Sequence, residues 1–288
     1  MATAGAPVAI SAPLPQAPAY SLLATVPVTE DGGDVVRWLN GASVWGYPPG
    51  CGAAWDPCSA GSPPKDDGGA PALPEFAAFT AYLPETCSAL SIGDPATFAR
   101  RALAAFAARE SNIVERFLAV ADEIPDNPHL TDGNASLLNA GNEVSAMEGL
   151  ALLEDAIGTT CQAGVIHATP GIATAWNCCY LLYRDGQTLR TVARNTPVVV
   201  GDGYIGVRPD NGAAPEDDQA WAFATNGVAV YRTDAKLIPA AEQIAAALER
   251  ETNVVTYRAE RDYLAVYESP SALWDGGLQA AVLIDRSL

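Results

Sequence analysis

Positive charge is what this chain has least of. Lysine and arginine number 16 against 34 aspartates and glutamates, a formal net charge of −18, and two histidines add little near neutral pH. A general basic surface for nucleic acid or anionic membrane is thereby excluded, and solubility at high concentration is favoured. Long apolar runs are missing as well. The longest, around Gly149–Leu153 and Ala280–Ile284, fall far short of the roughly 20 residues of a membrane-crossing helix. The opening MATAGAPVAISAPLPQAPAYSLL has no basic stretch and carries four prolines, so an extended arm is expected there rather than a signal peptide. Cysteine is scarce too: six in 288 residues cannot staple a fold of this size. They are expected to be reduced, buried, small apolar residues. Cys51 and Cys58, bracketing a Gly/Pro-rich loop, are the pair able to close under an oxidant. Their spacing does not suit zinc and no histidine lies near.

Catalytic signatures are equally sparse. No Walker loop is present, since the glycine cluster VVVGDGYIG lacks the lysine and the following helix of a phosphate cradle. No Gly-x-Ser-x-Gly elbow occurs. His167, in GVIHATP, has Cys161, Cys178 and Cys179 near it in sequence, which leaves a Cys–His nucleophile pair conceivable. Its apolar surroundings favour a hydrogen-bonded core histidine. His129 is expected to be exposed, and Glu154/Asp155 and Asp217/Asp218 read as solvated charge. Trp38, Trp45 and Trp55 read as anchors of a strand-rich segment rather than a sugar platform. No cofactor and no metal is expected, and the chain reads as a non-enzyme.

What is present is a large apolar fraction, 49% hydrophobic with 17% charged, enough to bury one or two cores. Strand-like pieces (TVPVTE, VVRWLNGASVWGY, FAAFTAYL) flank a long Gly/Pro-rich loop. Asp94 followed by Pro95 starts a helix that runs to about Asp122. Phe98, Ala102, Phe106, Ile113, Phe117 and Val120 share one of its faces, with Arg100, Arg101, Arg109, Glu110, Glu115 and Arg116 as the polar complement. A second helix is expected from Val144 to about Ile157. Three strand-rich stretches follow: AGVIHATPGIATAW, NTPVVVGDGYIGV and WAFATNGVAVYR. IPAAEQIAAALERET is expected to be a short helix. Strands close the chain, and the order of elements makes it α+β.

One stretch stands out. In NVVTYRAERDYLAVYE, strand alternation puts Val254, Thr256, Arg258, Glu260 and Asp262 on one face, with Leu264 and Val266 continuing it. Val255, Tyr257, Ala259, Tyr263 and Tyr267 form the other face, interrupted by Arg261. Mixed-sign charge on Arg258, Glu260, Arg261 and Asp262 suits a contact that sets register and orientation between subunits. A solvated face is the alternative. Arg261, in an apolar row, is expected to reach a partner.

The element order is similar to that of the tailed-bacteriophage major capsid protein, the Hong Kong 97 type. AMEGLALLEDAIGTTCQAGVIHATPGIATAW resembles the axial-domain helix running into its central strand. LRTVARNTPVVVGDGYIG resembles the strand that follows, and WAFATNGVAVYR and NVVTYRAERDYLAVYESPSALWDGGLQAAVLIDRSL resemble closing peripheral strands. The resemblance implies an N-terminal arm (1–25), an extended loop (26–90), a spine helix with a peripheral segment (91–144), an axial domain (145–220) and closing peripheral strands (221–288). It further implies a shell subunit forming hexamers and pentamers of an icosahedral virion assembled in the host cytoplasm. Portal or decoration proteins would be its partners, and DNA would be enclosed without specific binding. Some capsids of this type join a loop lysine to a neighbour. Lys65 is the loop's lysine, but Asp66 and Asp67 beside it hold its amine charged, so non-covalent locking is expected. An encapsulin-like nanocompartment shell shares the fold and remains an alternative, as does a decoration, tail or receptor-binding protein.

Overall fold

The computed structural model describes residues 13–31, 36–44, 74–88, 95–124, 126–240, 243, 248–270 and 277–287. The chain begins with a short helix α1 (Leu22–Thr25) and strand β1 (Val28–Glu30), followed by β2 (Ala42–Ser43), β3 (Glu75–Phe76) and β4 (Phe79–Ser88). The long helix α2 (Pro95–Val120) comes next, then β5 (Ser136–Leu137), β6 (Val144–Ser145) and helix α3 (Ala146–Thr159). After β7 (Gly164–Ala168) and helix α4 (Pro170–Cys178) come β8 (Leu182–Asp185), β9 (Thr188–Thr191) and β10 (Pro197–Val200). The last strands are β11 (Gln219–Asn226), β12 (Val228–Arg232), β13 (Lys236–Ile238), β14 (Leu248–Glu249), β15 (Val254–Tyr267) and β16 (Gln279–Asp285).

Two sheets organise the fold. One has the order β1-β12-β15-β13, with β4 and β14 also paired to β15; the other runs β5-β16-β11-β7-β10-β9-β8, with β6 beside β16. Strand β15 is the axis of the first, pairing antiparallel with β4 from Tyr263↔Phe79 to Val254↔Ser88. Pro84 sits within β4 opposite Arg258, and among the described residues β4 pairs only with β15, an edge position of the kind that tolerates proline. Single residue Gly227 separates β11 from β12, which lie in different sheets, so Asn226-Gly227 is a crossover and not a hairpin. Sheet membership also cuts across the expected residue ranges, because β11 and β16 share a sheet with β7 and β10.

Helix α2 is the element common to both halves. Phe106, Val114 and Leu118 enter the main core with Val230, Tyr263 and Phe223. Each such side chain contributes about 1.5–3 kcal/mol by leaving water. Near its start, Phe98 and Ala102 close a smaller cluster with Val255 and Tyr257. Phe117 stacks on Phe79 of β4, ring centroids 3.7 Å apart. On the second sheet, α3 and α4 cover the face built by Ile166, Val198, Ala222 and Val282, and buried Trp176 donates its indole N–H to the Ala146 carbonyl at 2.7 Å.

Three expectations are corrected. AGVIHATPGIATAW is half strand and half helix: the Thr169 hydroxyl accepts from Ile172 N–H and Pro170 occupies the first turn, which starts α4. Of the helix expected over IPAAEQIAAALERET, residues 241–242 and 244–247 lie outside the described residues, and the described ends are not helical. Its ends are β13 and β14, the latter turned back onto β15 through Leu248↔Val255 and Glu249↔Val254. Finally, the cysteines are not all reduced and buried: Cys161 is disulfide-bonded, and Cys178 and Cys179 are free and exposed at the end of α4. The Asp94 cap, Trp45 and Trp55, and the loop residues Cys51, Cys58 and Lys65 lie outside the described residues.

Candidate assembly surfaces

The charged strand divides as its alternation predicts. Val255, Tyr257, Ala259, Tyr263 and Tyr267 are buried, and Arg258, Glu260 and Asp262 line the opposite, wetter face. On that face Arg258 Nε donates to Glu260 at 2.9 Å, and Asp262 accepts from the Thr80 hydroxyl at 2.7 Å across the β4–β15 ladder. Arg261 does not join them. Its row faces α2, and its guanidinium donates to Glu110 Oε2 at 2.9 Å. The partner that Arg261 was expected to reach is therefore in its own chain.

Glu110 gathers more than that. Arg232 of β12 donates to its Oε1 at 3.0 Å and the Tyr263 hydroxyl to its Oε2 at 2.7 Å, while Arg232 also pairs with Glu30 of β1. Two arginines and two glutamates thus neutralise one another where helix, β1, β12 and β15 converge. Burial, and then the Glu110 charge, push the Tyr263 phenol well above its usual range, so it stays a donor. The hydrogen bond from Arg232 holds Glu30 below the usual carboxylate range. In sequence Glu110 looked like part of a solvated helix face; it is a clamp.

Glu115 was assigned to the same exposed face and is 1% exposed. Its Oε1 accepts from Leu22 N–H at 2.9 Å and the Ser111 hydroxyl at 3.0 Å, and its Oε2 accepts from Gly203 N–H at 3.2 Å. The helix is thereby tied to α1 on one side and to the loop after β10 on the other. Burial raises the carboxyl to about 7, although three donors oppose the shift. The first two glycines of VVVGDGYIG, Gly201 and Gly203, have their explanation here. A Cβ on Gly203 would lie 2.5 Å from Glu115 Cβ and 2.7 Å from the Asn112 carbonyl and Arg116 nitrogen. Gly203 admits the helix backbone and Gly201 the Glu115 carboxylate, not a phosphate. The readable signal was the spacing of Ala108, Ser111, Glu115 and Ala119, a stripe of small or short residues with one acid in it.

The other candidates are placed as follows. His167 is fully buried, its two ring nitrogens within 3.0 Å of the Tyr204 hydroxyl and 3.1 Å of the Thr225 hydroxyl, and burial lowers it to about 3. With both nitrogens occupied and Cys178 and Cys179 on the surface, no Cys–His nucleophile pair is assembled. Glu154 is buried, not solvated: it accepts from the hydroxyls of Thr191 and Thr196 and pairs with Arg194, pinning the β9–β10 turn to α3. Asp155, Asp217 and Asp218 are exposed as expected. Trp38 leans on Tyr231 with centroids 6.4 Å apart, the anchoring role expected of it. Among the described residues no group of three or more His, Cys, Asp or Glu is arranged to hold a metal ion, and no helix is long and apolar enough to cross a membrane.

A long helix laid over a sheet built around one 14-residue strand, beside a second mixed sheet flanked by helices, is the α+β fold of the Hong Kong 97 capsid type. The chain is similar in structure to a chain of Mycobacterium phage Cain, with a TM-score of 0.51 and 11% identity over 95% of this chain and 91% of that one. It is also similar to the capsid of an empty GTA particle, at 0.49 and 12% identity over 98% and 93% of the two chains. The SrpI encapsulin of Synechococcus elongatus PCC 7942 follows at 0.45 and 11% identity over 75% and 76%. Of these three the Cain chain alone exceeds 0.5, and at such identities the likeness is one of fold. No family model matches the sequence, and no curated protein matches it significantly.

Proposed function

We propose that the chain is the major capsid protein of a tailed double-stranded DNA bacteriophage, a shell subunit without catalytic turnover that self-assembles into an icosahedral head. The carrying observation is the Hong Kong 97-type fold over 95% of the chain. In this reading the subunits form hexamers and pentamers, meet portal or decoration proteins, and reside in the virion after assembly in the host cytoplasm. The net charge of −18 supports a wall that encloses DNA without holding its phosphates. Arg258, Glu260 and Asp262 supply a mixed-sign face able to set register against a neighbour.

Electron microscopy of the overexpressed protein tests the reading. Closed icosahedral particles are expected, and a protein that stays monomeric at high concentration alongside the other virion proteins would overturn it. Closed particles that retain a co-expressed cargo enzyme would favour the encapsulin-like alternative; small open oligomers would favour a decoration or tail protein. For the charged face, Arg258→Glu removes an exposed pair worth about 0.2–1 kcal/mol, so folding should survive. Repeated at every subunit, that loss should lower particle yield, and undiminished yield would return the face to solvent.

A further inference from the structure

Glu110 and Glu154 each meet an arginine, but among the described residues no cation pairs with buried Glu115. Its partners are neutral donors: Leu22 N–H of α1, the Ser111 hydroxyl of its own helix and Gly203 N–H of the loop after β10. Ser111 in turn accepts from Leu23 N–H at 3.2 Å, so two successive amides of α1 end on this pair of side chains. The charged and titratable groups around the acid give no relief. From the loop, Asp202 adds a like charge, and the buried Tyr204 phenol stays neutral with uncharged His167 behind it. α1 brings Ser21, Leu22 and Leu23, none of which titrates. On the helix itself, Arg116 is turned to Asp122, 3.7 Å away. A carboxylate formed here has no counter-charge, and a buried charge without one is costly. Water or a proton must relieve it.

Two segments cover Glu115, and they differ in how firmly they are held. The loop is fixed, because Gly203 lies against the helix backbone and the Tyr204 ring is buried in the main core. α1 is held more lightly. It has four residues, its N-cap Ser21 makes no side-chain hydrogen bond, and residues 13–19 before it are all exposed. Apart from Glu115 and Ser111, its anchors are the Leu22 and Val26 side chains and the Tyr20 carbonyl, which accepts from Val200 N–H at 2.8 Å. Lifting α1 is therefore the least disruptive way to bring water to the acid.

We infer that the Glu115 socket is a pH-sensitive latch on the segment before β1: α1 is docked while the acid is protonated and lifts away when it ionises, with both sheets still folded. The sign follows from which state holds the proton. Docked, the carboxyl is raised to about 7; once water reaches it, it returns to the ordinary 4.5. Docking is therefore at full strength below about pH 4.5, weakens about tenfold per pH unit up to about 7, and is level above that. The latch belongs to the single subunit and does not depend on the shell reading.

Hydrogen exchange of the full-length, unassembled protein between pH 5 and 8 tests the latch, with rates corrected for the intrinsic effect of pH on exchange. The amides of Leu22 and Leu23 are the reporters. Their protection should fall by about 50- to 100-fold across this range, while β11 and β15 keep theirs. Glu115→Gln should give a flat profile, whatever its starting level. Leu22→Ala should lower protection at every pH and keep the slope, because it loosens α1 and leaves the acid in place. Should a variant fail to fold, the wild-type profile decides alone. Wild-type protection at Leu22 and Leu23 that does not change with pH would overturn the latch. An equal loss in β11 and β15 would overturn it too, by making Glu115 a matter of global stability.

Discussion

At the residue scale, buried carboxylates of α2 decide how the two halves hold together. Glu110 is shared by Arg232, Arg261 and Tyr263, all on the sheet beneath it. Arg261→Glu would set one carboxylate against another in a half-buried site and leave Glu110 short of a partner. A loss of about 3 kcal/mol in unfolding free energy is expected, read as a lower denaturant midpoint with unchanged slope. An unchanged midpoint would show that the ion pair contributes nothing to folding. Glu115 makes a pH-dependent contribution. Its folded-state value, about 7, lies above the ordinary 4.5, so the folded state holds the proton more tightly than the unfolded chain. The group therefore costs nothing below about pH 4.5, costs more as pH rises toward 7, and reaches a plateau of at most about 3 kcal/mol. Denaturant midpoints across this window should fall with pH in the wild type, and Glu115→Gln should remove that component of the slope. Equal slopes in the two proteins would refute it. The glutamine amide faces two backbone donors, so the variant should also be less stable below about pH 4.5, where wild-type Glu115 carries no ionisation cost.

At the element scale, close approach governs. Gly203→Ala places a methyl carbon against the backbone of α2, with no flexible side-chain end to yield. A destabilisation of about 3 kcal/mol is expected from such overpacking, and a wild-type midpoint would mean that the loop moves freely off the helix. The same elements show how much was legible beforehand. The span of α2 was readable because Phe98, Ala102, Phe106 and Phe117 recur on one face, and the two faces of β15 because alternation needs no partner to be seen. Helix α4 was missed although Thr169-Pro170 is a start signal, because the apolar run of β7 leads straight into it. The fates of Glu110, Glu115 and Glu154 were not legible. An acid on a helix reads as solvated until the strands and loops that cover it are known.

At the scale of the whole molecule, the acidic balance and the fold point the same way. A chain of net charge −18 should not retain duplex DNA: in a gel-shift assay near physiological salt no retardation is expected. Retardation there would require a concentrated basic surface and would count against the proposed shell role. Assembly by mixed-sign faces such as Arg258, Glu260 and Asp262 should also weaken as salt rises, since exposed charges are screened over about 8–10 Å. Particle yield that is indifferent to salt would assign the contacts to apolar surfaces.

Sequence by itself determined the local and the additive: net charge, the absence of membrane-length runs, the period of α2 and β15, and the order of elements that resembles a capsid subunit. Those properties depend on neighbours in the chain or on sums over it. Tertiary structure alone decided the rest: that Asn226-Gly227 crosses between sheets, that Arg261 turns inward to Glu110, and that VVVGDGYIG receives a helix. Each of these joins residues distant in the chain, 151 positions apart for Glu110 and Arg261, and burial by distant residues is invisible to any local pattern.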